Sequence, residues 1–313
     1  MGDLPPARLG YHQRPFTFCG IDYFGPMMVT VGRRREKRWG VLVMCLTTRA
    51  IHIELASSLN SSSAIMSLRR MMGRRGKPVK IHADNGTNLV GMNTELRDAL
   101  LEIDYDHVAY EMLNRGIKWR FIPPSTPHMG GSWERLVRSI KTALAATLKE
   151  RAPREEVLMT LLVEAEHVIN SRPLTQVSVD HRDAEALTPN HFLIGSSSGV
   201  SSPGQFTDGD LCSRKGWRQS QRLADMFWSR WVKEYLPTLV VRKCWTQETR
   251  PLLEGDVVLV ADSTLPRNTW PRGIITKTYP GKDARIRVAD VRIRNKTFKR
   301  SAAKLVVLVP NDQ

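Results

Sequence analysis

Residues 121–141 (FIPPSTPHMGGSWERLVRSIK) constrain the fold most, because they pass from a strand end through a loop rich in proline and glycine into an amphipathic helix. The apolar stripe of this helix has the spacing i, i+3, i+4, i+7, i+11 and consists of Trp133, Leu136, Val137, Ile140 and Leu144. Glu134, Arg138 and Lys141 fall on another face. A carboxylate near a helix N-terminus with a cation one turn later is common for electrostatic reasons alone. The pattern therefore indicates a catalytic role only if other carboxylates converge on Glu134.

Two other carboxylates follow apolar strand patterns. Residues 16–23 (FTFCGIDY) predict a buried strand with Asp22 near its end, and residues 79–83 (VKIHA) predict a strand that runs into Asp84. An aspartate there is often only a turn former or a helix cap, and Asn85-Gly86 favours that interpretation for Asp84. Asp22 has apolar neighbours, and a buried charge without a partner is costly. Three converging acids would need a divalent cation, and hard oxygen ligands favour Mg²⁺ or Mn²⁺.

Three segments carry a resemblance to a known family. GIDYFGPM, HADNGTNL and PHMGGSWERLVRSIK resemble the catalytic core of retroviral-type integrases, and they are most similar to integrases of BEL/Pao-type LTR retrotransposons. The resemblance implies a catalytic triad that holds two Mg²⁺ or Mn²⁺ ions, formed by Asp22, Asp84 and Glu134. It also implies an active-site loop with Pro127 and Gly131, and DNA contacts by Asn88, Arg138 and Lys141. The 49 residues between Asp84 and Glu134 exceed the spacing in most retroviral integrases.

The pattern around these motifs predicts the fold class. Residues 15–55 indicate a three-stranded meander, with strands at 16–23, 38–46 and 51–55 and a basic connection at 32–38. The elements predicted next are a helix at 60–75, a strand at 79–83, a helix at 94–101 and a strand at 117–122. This order indicates an α/β sheet with helices on both faces. We therefore predict an N-terminal tail at 1–14 and an RNase H-like core with a mixed five-stranded sheet at 15–175.

The rest of the chain divides into two further regions. A helix at 154–170 completes the core, and residues 176–238 are predicted to be a linker and helical connector. The connector helix at 215–236 is rich in aromatic residues, which indicates core or subunit interface more than base stacking. Short strands follow in the last predicted region, 239–313, at 256–261, 273–279, 284–291, 296–299 and 303–308. We predict a small all-β barrel that resembles the SH3-like C-terminal domain of retroelement integrases.

Charge is concentrated in this last region. Residues 239–313 hold 15 Lys and Arg against 7 Asp and Glu, a net charge of 15 − 7 = +8. Four arginines alternate with apolar residues over much of one strand pattern, which predicts a basic sheet face formed by Arg285, Arg287, Arg292 and Arg294. This face either only contacts water or binds phosphates. The excess of positive charge in the region favours binding of double-stranded DNA.

Composition narrows the class of protein. The net charge of +16 indicates a polyanionic partner, by default nucleic acid. No apolar run approaches the roughly 18 residues of a membrane span. The four cysteines have no paired spacing, so neither a zinc site nor a disulfide framework is expected.

Integrases of this kind usually begin with a His/Cys zinc module, whereas only His12 precedes the core. We expect either a polyprotein fragment or the loss of that module.

The sequence therefore predicts a nuclear retrotransposon integrase that acts on DNA as a homo-oligomer. Its reactions would be metal-dependent 3′-end processing and strand transfer. Two alternatives stay open. One is a domesticated, non-catalytic DNA-binding protein that kept the fold and the charge. The other is an RNase H-type nuclease, which would need a fourth carboxylate, and Glu54 is the only nearby candidate.

Overall fold

The computed structural model describes residues 10, 12–84, 100–122, 127–174, 186–197, 204, 206–239, 250–260, 267–281, 283, 285–293 and 295–309. The chain begins with β1 (Phe18–Val31), β2 (Arg34–Cys45), β3 (Ile51–Ala56), α1 (Ser61–Arg75), β4 (Lys80–Asp84), α2 (Tyr105–Leu113) and β5 (Lys118–Ile122). It continues with α3 (Pro127–Leu148), α4 (Glu155–Asn170), α5 (Pro189–Ile194), a 3-10 turn (Asp208–Cys212) and α6 (Gly216–Leu239). It ends with β6 (Val257–Val260), β7 (Arg272–Pro280), β8 (Ile286–Ile293), β9 (Lys296–Ser301), a 3-10 turn (Ala302–Lys304) and β10 (Leu305–Val309).

The first five strands form one mixed sheet in the order β3-β2-β1-β4-β5. β1 and β3 are antiparallel to β2, whereas β4 is parallel to β1 and β5 is parallel to β4. This confirms the predicted meander and the mixed five-stranded sheet, and the order and directions fit an RNase H-like core. The helix predicted at 94–101 lies largely outside the described residues.

β1 is longer than predicted. It extends to Val31, so Asp22 lies within the strand rather than near its end, and the prediction of a strand end there is wrong. At Gly25-Pro26 the pairing of β1 with β2 shifts its register, between Phe24 and Met27, and then continues. Proline lacks a backbone N–H and is tolerated in a sheet at such a bulge.

Helices cover both faces of the sheet, as predicted. On one face, Ile21 and Tyr23 of β1 join an apolar cluster with residues of α1 and α2 such as Leu68 and Met112. On the other face, the sheet packs against α3, α4 and α6 through a cluster with fully buried members such as Ile140, Leu158, Leu161, Ala165 and Trp231. Alternation along β1 therefore places Asp22 on the α3 side, together with Phe24.

Helix α4 also binds the backbone of β3 through two side chains. Asn170 Oδ1 accepts a hydrogen bond from the N–H of Ile51 at 2.9 Å, and Asn170 Nδ2 donates to the carbonyl of Ile51 at 2.9 Å. Glu166 Oε2 accepts from the N–H of Ile53 at 2.8 Å. Both side chains are buried, so α4 is held to β3 by polar contacts as well as by apolar packing.

The aromatic residues of α6 are mostly core residues. Trp231 stacks between Phe227 and Tyr235, with ring centroids 6.3 Å and 4.7 Å away. Trp228 meets Trp270, from the segment before β7, edge to face at 4.9 Å. This packing confirms that most aromatic residues of α6 are core residues. Helix α6 also packs against both sheets, because Leu259 and Val306 of the second sheet belong to the same apolar cluster. No helix within the described ranges is long and apolar enough to cross a bilayer.

The last five strands form a second, antiparallel sheet in the order β10-β6-β7-β8-β9. All five predicted strands are present, and their bounds differ from the prediction by at most a few residues. The pairings in the described part of the chain leave β9 and β10 as the outer strands of an open sheet. The structure therefore does not establish a closed SH3-like barrel, and the predicted domain bounds stay a prediction.

Candidate active site and nucleic-acid surface

Asp22 lies at the centre of the sheet and faces α3. Its Oδ1 accepts a hydrogen bond from the N–H of Tyr23 at 2.7 Å, and its Oδ2 lies 2.7 Å from Nζ of Lys141. The side chains of Asp22 and Lys141 are 35% and 28% exposed, so the carboxylate is open to solvent on one side. Asp22 is thus an accessible carboxylate whose position is fixed by the sheet and whose charge is balanced by a cation from α3.

Asp84 is the last residue of β4 and lies next to Asp22 in register. β1 and β4 are parallel, with Gly20 opposite His82 and Ile21 opposite Ala83. The next residue on each strand is Asp22 and Asp84, and neighbouring strands are about 4.8 Å apart. The backbone therefore brings these two predicted metal ligands together. The side chain of Asp84 lies outside the described part of the structure, as do Asn85, Gly86 and Asn88.

The backbone around Glu134 differs from the prediction. Pro127 and Gly131 were expected in a loop, but α3 begins at Pro127 and both residues lie in its first two turns. Proline suits a first helical position because its missing N–H would have no intrahelical partner there. Glu134 follows on the same helix, seven residues before Lys141, which corresponds to about 10 Å along the axis. The side chains of residues 121–134 lie outside the described part of the structure.

The donors in this region suit a hard cation. Asp22 offers a carboxylate oxygen that already contacts the ammonium group of Lys141, and Asp84 follows in register on the neighbouring strand. Carboxylate oxygens are the ligands that Mg²⁺ and Mn²⁺ prefer. Among the side chains that the structure describes, no three His, Cys, Asp or Glu residues are grouped to hold a metal ion. Asp84 and Glu134 do not belong to that set.

Glu54 is placed where it cannot supply a fourth carboxylate to Asp22. Asp22 pairs across the sheet with Leu42, and Leu42 pairs with Ile53, so Glu54 faces the opposite side of the sheet. Its carboxylate is buried and bound to Arg70 at 2.8 Å, to His52 at 2.9 Å and to Arg74. Glu54, the fourth carboxylate that the RNase H alternative would need, is thus part of a separate ion-pair network.

That network contains a buried histidine between two carboxylates. His52 Nε2 lies 2.9 Å from Glu54, and Nδ1 lies 3.1 Å from Glu166, which also binds Arg75. Burial by itself lowers the pKa of His52, but hydrogen bonds to Glu166 and Glu54 and their charges outweigh it, so the pKa is raised. Burial opposes ionisation of both glutamates, yet contacts with His52 and the arginines lower their pKa values.

These directions predict how stability depends on pH. The contribution of His52 is fully present below its unfolded pKa of about 6.5 and is lost as the pH rises through the higher folded value. The contributions of Glu54 and Glu166 are present above about pH 4.3 and are lost as the pH falls through their lowered folded values. We therefore expect His52→Gln to destabilise the protein more at about pH 5.5 than at about pH 8.5 in urea unfolding. An equal loss at both pH values would contradict a charged His52.

A register shift interrupts the strand alternation from which the basic face of the second sheet was predicted. Arg287 is exposed, pairs with Asp283 at 2.7 Å and lies where the pairing of β7 with β8 shifts. Arg292 is exposed five residues later, and Arg285 is exposed just before β8. Alternation alone therefore does not assign these arginines to one face. Arg294 lies outside the described residues.

The structure instead brings together two lysines that the sequence reasoning missed. Lys277 of β7 and Lys299 of β9 both pair with Asp290 of β8, so they share one sheet face. Their ammonium groups lie 5.5 Å and 4.2 Å from the ring centroid of Tyr279, whose hydroxyl donates to Asp290 at 2.7 Å. Arg292 lies two residues beyond Asp290 on the same face. In the sequence, the signal for this contact was the Lys-x-Tyr spacing at 277–279, which places both side chains on one face of a strand. We call Lys277, Tyr279, Arg292 and Lys299 the basic surface.

Comparisons with known sequences give a partial match. The sequence profile of a family described as "Family of unknown function (DUF5641)" matches residues 215–308, from just before α6 into β10. This is less than half of the chain. No curated protein matches the sequence significantly.

Solved structures similar to this chain include viral integrases. A chain of the simian T-cell lymphotropic virus intasome in complex with PP2A regulatory subunit B56 gamma is 13% identical, with 95% of this chain and 80% of that chain covered and a TM-score of 0.38. The BIV integrase catalytic core domain is 15% identical, with coverages of 57% and 95% and a TM-score of 0.35. The HTLV-2 integrase catalytic core domain with magnesium is 16% identical, with coverages of 57% and 97% and a TM-score of 0.34. At such low identities and TM-scores, function has to be inferred from the motif residues and the sheet order of this chain.

Proposed function

We propose that this protein is a retrotransposon integrase that carries out metal-dependent 3′-end processing and DNA strand transfer. The observation that carries the proposal is the register of Asp22 and Asp84 on neighbouring parallel strands at the centre of a mixed sheet. Support also comes from α3, which carries Glu134 and contacts Asp22 through Lys141. The three motif segments, whose sequences resemble BEL/Pao integrases, supply these residues.

In this proposal, Asp22, Asp84 and Glu134 would hold two Mg²⁺ or Mn²⁺ ions. When bound, such ions activate the attacking hydroxyl group and stabilise the leaving oxygen of an in-line displacement at phosphorus. The protein itself supplies the fixed carboxylates, with Asp22 held by β1 and open to solvent. Arg138 and Lys141 on α3 would contact phosphates near the reacting one, because they follow Glu134 by about 6 Å and 10 Å along the helix. Asn88 would contact the DNA beside Asp84.

A strand-transfer assay tests this function. The purified chain is incubated with short duplexes that carry the element's ends, in Mg²⁺, in Mn²⁺ and in EDTA. We expect 3′-end trimming and joined products with either metal and none in EDTA. DNA binding without metal-dependent products would contradict the proposal and favour the non-catalytic alternative. Nicking of RNA–DNA hybrids without joining would favour a nuclease.

We further propose that the second sheet is an SH3-like DNA-binding domain and that the protein acts in the nucleus as a homo-oligomer. Its consecutive antiparallel strands and the 3-10 turn before β10 support the SH3-like assignment. The basic surface supports DNA binding, because two lysines and an arginine are exposed around one aspartate. Arg285, Arg287 and Arg294 would contact DNA from neighbouring positions.

The basic surface leads to a prediction about salt dependence. If Lys277 and Lys299 each neutralise one phosphate, Lys277→Gln with Lys299→Gln should reduce the slope of log affinity against log salt by about 1.8. Fluorescence anisotropy with a duplex of unrelated sequence measures this slope. Lys296→Gln is the matched control, because Lys296 is an exposed lysine on β9 that pairs with Ile293, and Ile293 packs against the sheet's core on the face opposite to the basic surface. An unchanged slope in the double variant would rule out this surface as the DNA contact.

A further inference from the structure

The contact between Lys141 and Asp22 joins two partly exposed side chains whose backbone positions are fixed by the core. Lys141 follows Ile140, which is fully buried, and Leu144 holds the next turn of α3 with 1% exposure. Asp22 is fixed within a strand that is paired on both sides. The ammonium group therefore reaches the carboxylate from a rigid helix and meets it on a rigid sheet, 2.7 Å apart. Both carboxylate oxygens are thereby engaged, because the other accepts the N–H of Tyr23.

We propose that Lys141 is the protein's own substitute for a divalent cation at Asp22, and that the cation and Lys141 compete for the Oδ2 atom of Asp22. The inference rests on the proposed function, since it takes Asp22 as a metal ligand. A carboxylate oxygen has two lone pairs, but an ammonium group and a divalent cation that approach the same oxygen repel each other, so the binding of one weakens the binding of the other there. Metal binding then breaks the ion pair and releases the Lys141 ammonium beside the metal.

The competition gives Lys141 two successive partners. Without metal, its charge balances Asp22 and reduces repulsion between the two aspartates that lie in register. With metal bound, the ammonium group is free to bind a DNA phosphate at the reacting end. By linkage, a phosphate that holds Lys141 away from Asp22 strengthens metal binding by the same factor as metal strengthens that phosphate contact. Lys141 would thus couple metal loading to the presence of DNA.

The test measures metal affinity on the full chain without DNA. Mn²⁺ is titrated into the protein, and free Mn²⁺ is followed by its EPR signal. We expect Lys141→Gln to bind Mn²⁺ about fivefold more tightly than the wild type, the factor that corresponds to a well-placed, partly exposed ion pair. Lys141→Arg keeps a cation at this position and should stay close to the wild-type affinity.

The matched control is Arg135→Gln, which removes one positive charge from an exposed position on a different face of the same helix. Its Mn²⁺ affinity should change by less than about twofold, because an exposed charge on another face of the helix is largely screened by solvent and salt. Thermal melting confirms that each variant is folded. If Lys141→Gln fails to fold, Lys141→Met in the same titration replaces it, with the same expected gain.

The outcomes separate this inference from the function on which it rests. Equal Mn²⁺ affinity in Lys141→Gln, Lys141→Met and the wild type would overturn the competition. The proposed function would survive that result if Asp22→Asn lost Mn²⁺ binding. Unchanged Mn²⁺ binding by Asp22→Asn would instead remove Asp22 from the metal site, and both proposals would fall together.

Discussion

Asp22→Asn is expected to abolish both end processing and joining while leaving the fold and non-specific DNA binding intact. The amide keeps the shape of the side chain but removes the negative charge that would hold the metal. Because bound metal contributes several kcal/mol to such reactions, the rates should fall by about a thousandfold or more. The lost contact with Lys141 is a partly exposed ion pair, so the free energy of unfolding should change by less than about 1 kcal/mol.

Single-turnover assays with Mg²⁺ would measure this loss, with DNA binding followed in parallel by anisotropy. Asp106→Asn is a suitable control, because Asp106 is an exposed aspartate on α2, which packs on the sheet face opposite to Asp22, and it should keep wild-type rates. Appreciable joining by Asp22→Asn would show that the triad is wrongly assigned. Loss of DNA binding together with activity would indicate that Asp22 supports the fold or the DNA surface instead.

Glu166→Ala is expected to have the largest effect on stability. Glu166 is 7% exposed and accepts the N–H of Ile53, while its carboxylate also binds His52 and Arg75. Alanine would leave a buried N–H and two positive or polar side chains without this partner. Removing one member of a buried ion pair typically costs about 3–5 kcal/mol, and we expect a loss of about that size.

Urea unfolding followed by circular dichroism would measure the change. Glu156→Ala provides the comparison, because Glu156 is exposed on the same helix and its loss should cost less than about 0.5 kcal/mol. If Glu166→Ala were as mild as Glu156→Ala, the network around His52 would contribute little to stability.

Much of the fold could be predicted because strands and helices leave local patterns in the sequence. The core stripe of α3 was predicted from its helical spacing, and Val137, Ile140 and Leu144 are indeed buried. Two local expectations were wrong: β1 continues past Asp22 through a register shift at Gly25-Pro26, and α3 begins at Pro127 where a loop was expected. Whether a proline ends a strand depends on which N–H groups its neighbours need, and that is a property of the whole sheet.

In the candidate site, too, local spacing was predictable from the sequence but long-range contacts were not. The spacing of Glu134, Arg138 and Lys141 predicted that they share a helix face, but not that Lys141 would meet Asp22, 119 residues earlier in the sequence. Lys277 and Lys299 became neighbours only through their common partner Asp290 on the strand between them. Such contacts depend on strand register and helix docking, which are set by the packing of distant segments and leave no short-range pattern.

The amide of Asn170 and the carboxylate of Glu166 have a consequence for assembly. Asn170 exchanges both a donor and an acceptor with Ile51, as a residue of an adjoining strand would, and Glu166 takes the N–H of Ile53. Helix α4 thus imitates part of a sixth strand along β3, so another chain could add a strand there only by displacing buried side chains. Complexes of this protein cannot readily form by extending the mixed sheet across β3. This protection also guards β3 against the strand pairing that begins aggregation.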